Sequence, residues 1–372
     1  MPGTIQKEKI SKLGFGYMRL PRKDGIFDME QIIKMADTYL GSGGTYFDAA
    51  YVYEGAEAAL CESVIKRYPR DMFQIATKLS LRHADSIEQC EAQFKTSLGR
   101  LCTDYIDFYL LHGLSAATSK KAEDIGAWAY LADLKAKGLI RHMGFSFHST
   151  PEDLEIILSR HPEAEFVQLQ INYMDWDSPK IQSRRLHEIA RKFDIPIIIM
   201  EPVKGGLLTG DSSPIAELLR EANPNASMAS WALRFTAHLD GVLLTLSGMS
   251  SSEQLADNVA TFADLKPLSA DDSAVLAKAV EILDAIPRVA CTSCRYCIDG
   301  CPSKIMIPMM IETYNMYLVY NTTVNLNHGY RIWTNGHGKA GDCIGCRVCE
   351  DVCPQGLEIV DTLAKVSAMM DK

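Results

Sequence analysis

Eight of the eleven cysteines fall after residue 290, in two runs of identical spacing: Cys291, Cys294, Cys297 and Cys301, then Cys343, Cys346, Cys349 and Cys353. Each run reads C-x2-C-x2-C-x3-C-P, closing on Pro302 and Pro354. Thiolate sulfur suits either tetrahedral zinc or the irons of a cluster. Three cysteines separated by two residues can reach three irons of a cubane from one loop, while the fourth points away toward a second cluster. A pair of zinc sites is the competing reading, but zinc has no reason to use the pattern twice. The prolines restrict the backbone and turn the chain aside. Cys61, Cys90 and Cys102 are scattered, an asymmetry that argues for a local cofactor and against a disulfide framework.

The doubled motif resembles that of bacterial two-cluster ferredoxins. The resemblance assigns Cys291, Cys294, Cys297 and Cys353 to one [4Fe-4S] cluster, and Cys343, Cys346, Cys349 and Cys301 to the other. Between the runs, IMIPMMIETYNMYLVY reads as a helix whose Met and Tyr side chains pack a core. The Gly- and Asn-rich stretch after it reads as a loop.

Upstream, Asp48 ends the run FDAAYVY's apolar start, Tyr53 follows five residues on, Lys78 ends FQIATK, and His112 ends IDFYLLH. Together these residue types suit hydride addition to a carbonyl. The oxygen becomes an alkoxide and needs a proton donor, and a phenol of ordinary pKa near 10 is a weak one. A neighbouring ammonium favours the phenolate and lowers that pKa, the role expected of Lys78 beside Tyr53. Asp48 would pair with Lys78, and His112 would hydrogen-bond the carbonyl oxygen. Singly, a buried Asp–Lys pair or a core histidine is commonly structural; four such residues in order at the ends of consecutive apolar runs are not.

The elements that must position them are eight apolar runs: KLGFGYMRL, FDAAYVY, FQIATKL, IDFYLLH, IRHMGFSF, FVQLQIN, IPIIIMEP and GVLLTLSG. Segments such as SIEQCEAQFKTSLGRL and QSRRLHEIARKFD, apolar at helical spacing, separate them. This alternation predicts an α/β chain: a TIM (β/α)8 barrel over residues 1–268, then a linker helix and a small ferredoxin-like iron-sulfur domain over 269–372. In such a barrel the chemistry belongs at the C-terminal strand ends.

From about residue 10 to 265 the chain resembles the aldo-keto reductase family, through GFG, FDAAYVYEGAEAAL, ATK, YLLHG, GFS, VQLQIN and GMSSSEQLADN in that order. The resemblance implies a catalytic tetrad of Asp48, Tyr53, Lys78 and His112 and a nicotinamide cofactor, NAD(P)H, across the barrel mouth. Ser146 and Gln168 match the positions that hold the carboxamide, and Gly248 with the SGMSSSEQLADN segment matches the phosphate-binding loop. Asn258 keeps the usual asparagine, while Gln254 stands where an arginine often holds the NADP 2′-phosphate. Phe147 replaces an asparagine, and Met200-Glu201-Pro202 stands where an aromatic commonly lies. Lys204 and Gly205, with Gly206, offer backbone that a phosphate can approach. His148 is expected to be structural, and Glu201 to be a further acid or substrate contact.

A nicotinamide moves two electrons as hydride and a cubane moves one, a mismatch that a flavin would bridge; the loops after strands seven and eight of a TIM barrel can hold FMN phosphate. The leading expectation is an iron-sulfur oxidoreductase that reduces a carbonyl, or another polarised double bond, of a small-molecule substrate. The alternatives are a flavin-linked reductase with ferredoxin or another redox partner as donor, and a non-catalytic electron-transfer subunit. A net charge of -9 without a basic block argues against nucleic acid. The lack of an apolar leader or a run of roughly 18 apolar residues argues against a membrane and for a cytoplasmic location.

Overall fold

Eight apolar strands joined by amphipathic helices can pair side by side and close, which leaves no sheet edge exposed. A computed structural model, describing residues 5, 8–291, 293–323 and 326–371, has this arrangement. In chain order the strands are β1 (Leu13–Gly16), the hairpin pair β2 (Arg22–Lys23) and β3 (Ile26–Phe27), β4 (Tyr46–Asp48), β5 (Gln74–Leu79), β6 (Ile106–Leu114), β7 (Ile140–Phe147), β8 (Phe166–Gln170), β9 (Ile197–Met200) and β10 (Val242–Ser247). All but the hairpin form a closed parallel barrel in the order β1-β10-β9-β8-β7-β6-β5-β4. The hairpin turns on Asp24 and Gly25, both at positive φ, 52° and 80°, as a tight two-residue turn requires.

The helices are α1 (Met29–Gly41), α2 (Ala56–Leu60), α3 (Ile87–Leu101), α4 (Ala116–Asp124), α5 (Ala127–Ala136), α6 (Pro151–Arg160), α7 (Ser183–Lys192), α8 (Ala216–Ala222), α9 (Met228–Ala237) and α10 (Ser252–Ala263). Asp28, Thr150 and Ser251 cap α1, α6 and α10 by accepting from the backbone N–H three residues on, each cap contributing about 1 kcal/mol.

Strand periodicity divides the side chains into two sets. Tyr46, Ala76, Phe108, Leu110, Phe166, Ile198, Leu244 and Leu246 form one apolar cluster with Ile5, the filling of the barrel. Their neighbours in sequence, such as Phe47, Ile75, Tyr109, Leu111, Val167, Ile197 and Ile199, belong to the cluster shared with the helices. Fully burying such a side chain contributes roughly 1.5–3 kcal/mol. Two residues beyond the filling, on the same face, lie Asp48, Lys78, His112 and Gln168. Gly144 must lack a side chain, because a Cβ there would lie 2.4 Å from the Phe166 carbonyl oxygen. At the opposite end, His142 is held between Glu165 (Nδ1 to Oε1, 3.2 Å) and Glu8 (Nε2 to Oε1, 2.9 Å).

The chain forms two units. The barrel unit is Met1–Val203 with Ala229–Leu268, and the second is Lys204–Met228 with Ser269–Lys372. Residues 204–228, expected within the barrel, therefore group with the C-terminal residues: α8 packs on α11 (Ala270–Asp284), and Ser212 Oγ donates to the Asn321 carbonyl at 3.1 Å. The second unit continues with α12 (Tyr296–Asp299), α13 (Ile307–Tyr320), α14 (Leu326–Thr334), α15 (Val348–Asp351) and α16 (Ile359–Met370). The stretch expected as a Gly- and Asn-rich loop contains α14 because Leu326 and Tyr330, four residues apart, are buried on one face and Tyr330 Oη donates to Asp371 at 2.6 Å. Two scattered cysteines are also joined: Cys61 and Cys102 form a disulfide, a pairing that arises because the barrel brings the ends of α2 and α3 together. Among the described residues no helix is long and apolar enough to cross a membrane.

Candidate active site and cluster chambers

The strand register gathers the polar residues. Asp48 lies beside Ala76 and Lys78 beside Leu110, so the inward face of β5 carries Lys78 one step above Asp48. The Lys78 Nζ donates to Asp48 Oδ1 and to the Ala49 carbonyl, both at 2.6 Å, and Lys78 is only 1 % exposed. Tyr53 comes from the loop after β4, with its ring centroid 4.9 Å from Nζ. The His112 ring meets it edge-on at 5.8 Å. All four residues named from the sequence thus converge.

Burial, the largest influence on Lys78, disfavours its charge, but Asp48 and Tyr53 outweigh it and its pKa is raised. Lys78 therefore stays an ammonium. The Tyr53 phenol is also raised, chiefly by burial; Lys78 and Arg19 pull it down, while Asp48 and Glu201 oppose them. The sequence-based expectation of a lowered Tyr53 pKa is thus corrected in its net direction: the ammonium acts as expected, but desolvation is larger. Burial, then Lys78, His148 and Arg82, lower His112 to about 3, so it is a neutral imidazole with one N–H to donate.

The neighbouring strand ends of β7 and β8 carry an unmet demand. Gln168, 3 % exposed, carries an Oε1 that is buried without a hydrogen-bond partner. Ser146 is its neighbour across β7 and β8 and accepts from the Gly113 N–H at 2.8 Å, leaving its hydroxyl hydrogen to donate. A primary carboxamide supplies the matching donor and acceptor. Toward the phosphate end, a Cβ on Gly248 would meet only Arg19 Cβ at 3.8 Å, so the protein alone does not require glycine there.

The other residues expected at the cofactor have partners of their own within the chain. Asn258 is buried with its Nδ2 donating to Ser247 Oγ at 2.8 Å, anchoring α10 to β10. Gln254 turns back, its Oε1 accepting from the Ser250 N–H at 2.7 Å. Lys204 and Gly205, at φ 50° and 65°, belong to the second unit.

Sequence reasoning missed Arg19 and Glu57. Arg19 Nη1 lies 3.3 Å from Glu201 Oε1, tying the segment after β1 to the end of β9, and Glu201 holds a left-handed φ of 56°. Glu57, 1 % exposed, accepts from Thr77 Oγ1 at 2.7 Å. Arg19 stands just past the end of a strand, the signal that found the other mouth residues; Glu57 had no such signal.

In the second unit the two cysteine runs fold alike. Each corresponding residue recurs 52 positions on, Arg295 and Arg347 both hold left-handed φ, 70° and 59°, and each starts a short helix, α12 or α15. Cys291, Cys294, Cys297 and Cys353 line one chamber, walled by apolar residues such as Ile311 and Leu357. Cys343, Cys346, Cys349 and Cys301 line another with Ile307 and Leu363. Among the described residues no three His, Cys, Asp or Glu side chains are gathered closely enough to hold a single ion. Four cysteines lining one apolar space suit the irons of a polynuclear cluster. Burial pushes the Cys297 and Cys349 thiols up to about 11, so metal binding there must displace protons.

The aldo/keto reductase family model matches residues 12–281, and a 4Fe-4S dicluster domain matches residues 290–357. Aldo-keto reductase str7 of Strobilurus tenacellus is 29% identical over 223 residues, covering 55% of this chain and 62% of that one, so the chain spans less than two thirds of that relative. An uncharacterized oxidoreductase of Bacillus subtilis, YqkF, is 26% identical over 284 residues, covering 67% and 86%. Among solved structures, an aldo-keto reductase from Klebsiella pneumoniae in complex with NADPH superposes with a TM-score of 0.59 at 22% identity, covering 72% of this chain and 90% of that one.

Proposed function

The chain belongs to the aldo/keto reductase family, and on that premise we propose that its barrel reduces the carbonyl of a small molecule with NADPH, Tyr53 giving the proton. The observation that carries this reading is the buried Lys78–Asp48 pair at 2.6 Å with Tyr53 and His112 beside it. NADPH, when bound, supplies the hydride; Gln168 and Ser146 would hold its carboxamide, and Gly248 would admit its phosphates.

The residues of the chain do the rest. The neutral His112 N–H donates to the substrate oxygen and fixes its position. As charge gathers on that oxygen, the Tyr53 phenol donates its proton. The Lys78 ammonium stabilises the phenolate left behind, and Asp48 holds Lys78 in place. The raised Tyr53 pKa keeps the proton in readiness at neutral pH.

Residues 269–372 form the ferredoxin-like module in this reading, with the two sets of four cysteines as ligands. The clusters supply one-electron chemistry when assembled.

The test is anaerobic oxidation of NADPH by the purified holoprotein across a panel of aldehydes and ketones, with Tyr53→Phe as the variant. We expect kcat to fall by about 100-fold or more, the scale of a lost general acid, with KM for NADPH little changed. Full activity in the variant, or flavin bands released on denaturation, would overturn the reading.

A further inference from the structure

Cys61 and Cys102 lie outside the cluster motifs, and their disulfide joins Cα atoms 5.7 Å apart across a sequence separation of 41. Cys61 is buried and begins a π-helical turn, Cys61–Ile65, that continues α2. Cys102 is exposed and caps α3 at φ 53°. A π turn and a left-handed non-glycine residue persist only where their surroundings hold them, and both cluster near functional sites.

The bond lies close in sequence to the contacts that frame Tyr53. Arg100, two residues before Cys102, donates from Nη1 to the Tyr51 carbonyl at 3.0 Å and to Glu57 Oε2 at 3.3 Å. Its guanidinium also lies 4.8 Å over the Tyr51 ring. The other oxygen of Glu57 accepts from Thr77, the residue before Lys78. One side chain thus holds the Tyr53 loop on both sides, and the helix end that carries it is covalently tied to α2.

A chain whose cluster cysteines must remain thiolates works at a reducing poise, where disulfides are typically transient and regulatory. We propose that Cys61–Cys102 is a reversible dithiol–disulfide site that sets how firmly the Tyr53 loop is held, and through it the rate of proton donation. The proposal rests on the reading of Tyr53 as the proton donor. A small dithiol reduces the site: its thiolate attacks the exposed Cys102 Sγ, breaking the S–S bond and releasing Cys61 as a thiolate that takes up a proton. The second thiol of the reductant resolves the mixed disulfide, frees Cys102, and closes the disulfide of the reductant. Two electrons and two protons pass to the protein.

The experiment poises anaerobic holoprotein in defined ratios of reduced and oxidised dithiothreitol. It follows alkylation of Cys61 and Cys102 by mass, deuterium exchange of residues 49–57, and kcat for NADPH-dependent carbonyl reduction. Reduction is expected to speed exchange in 49–57 about tenfold, as a locally loosened segment does. It should lower kcat about threefold or more at nearly constant KM, the pattern of a loss felt in the transition state alone. All three changes share one midpoint. Arg100→Met should still form the disulfide but show a kcat that no longer follows the poise. Equal exchange of 49–57 in both forms, or free thiols at every poise with clusters intact, overturns the proposal. If no carbonyl is reduced in any state, the functional reading fails on its own, while alkylation and exchange still decide the site.

Discussion

The Lys78 ammonium and the Asp48 carboxylate meet at 2.6 Å with both side chains buried, and the second Asp48 oxygen, Oδ2, is buried without a hydrogen bond. A pair this dry is held by geometry, and its halves are unequal. Removing Lys78 alone strands a buried charge, whereas removing both charges leaves none to strand.

Lys78→Met should therefore destabilise the barrel by about 3–5 kcal/mol, the cost of breaking a buried ion pair on one side. The double variant Asp48→Asn with Lys78→Met should recover most of that loss. On the proposed mechanism neither should recover turnover, because Tyr53 would lack the ammonium that stabilises its phenolate. Urea denaturation and kcat on the same samples separate the two; a double variant as unstable as the single one refutes the pairing argument.

The acid-base reading makes its own prediction. Tyr53 has a raised pKa, with burial as the main cause, and His112 is lowered to about 3. The proton donor is lost only above the ordinary phenol value of 10, and the imidazole stays neutral across the working range. The kcat profile should be flat between roughly pH 5 and 9. A limb centred near the ordinary histidine value would mean that His112 charges during turnover.

Much of this site was legible because a strand repeats every two residues. Once Tyr46, Ala76, Leu110 and Phe166 are read as barrel filling, Asp48, Lys78, His112 and Gln168 must follow on the same face. Contacts set by closure of the barrel carry no such period. Arg19 and Glu201 are 182 residues apart in sequence, and Cys61 pairs with Cys102 only because two helix ends meet. The direction of the Tyr53 shift was unreadable for a related reason: sequence names Lys78 as a neighbour but gives no measure of burial.

At the far end of the barrel, His142 gives a prediction about stability. Burial, its largest influence, would lower its pKa, but hydrogen bonds and charge from Glu165 and Glu8 outweigh it, so the folded value is raised. The ring also packs against Phe108, and Glu165 is shared with Lys135. A raised folded pKa contributes stability that is complete below the unfolded value of 6.5 and is lost as pH rises through the folded one. Denaturation midpoints of the wild type should thus decline on going from about pH 6 to pH 9 relative to those of His142→Gln. Parallel midpoints across that window would show that the histidine does not titrate there.

Gln168 separates ligand binding from structure. Its Oε1 accepts no hydrogen bond from the protein, so Gln168→Leu breaks none there and should leave the melting temperature nearly unchanged. The same change should raise KM for NADPH about tenfold, equivalent to ~1.4 kcal/mol of lost binding. A drop in stability with unchanged KM would make Gln168 a structural residue.

The two chambers predict which cysteines act together. Cys353 closes the chamber lined by Cys291, Cys294 and Cys297, and Cys301 closes the one lined by Cys343, Cys346 and Cys349. Each run thus lends its last cysteine to the other chamber, so neighbours in sequence are not partners in binding. Cys353→Ala should reduce the iron from about eight to about four atoms per chain, since a cubane with three thiolates is readily lost. Adding Cys291→Ala should then cost little more, because both changes strike the same cluster. Adding Cys343→Ala should remove nearly all the remaining iron. Iron and sulfide analysis with the electron paramagnetic resonance of the reduced protein reads the outcome. If Cys353→Ala were instead additive with Cys291→Ala and redundant with Cys343→Ala, each run would hold its own cluster and the interleaving would be wrong.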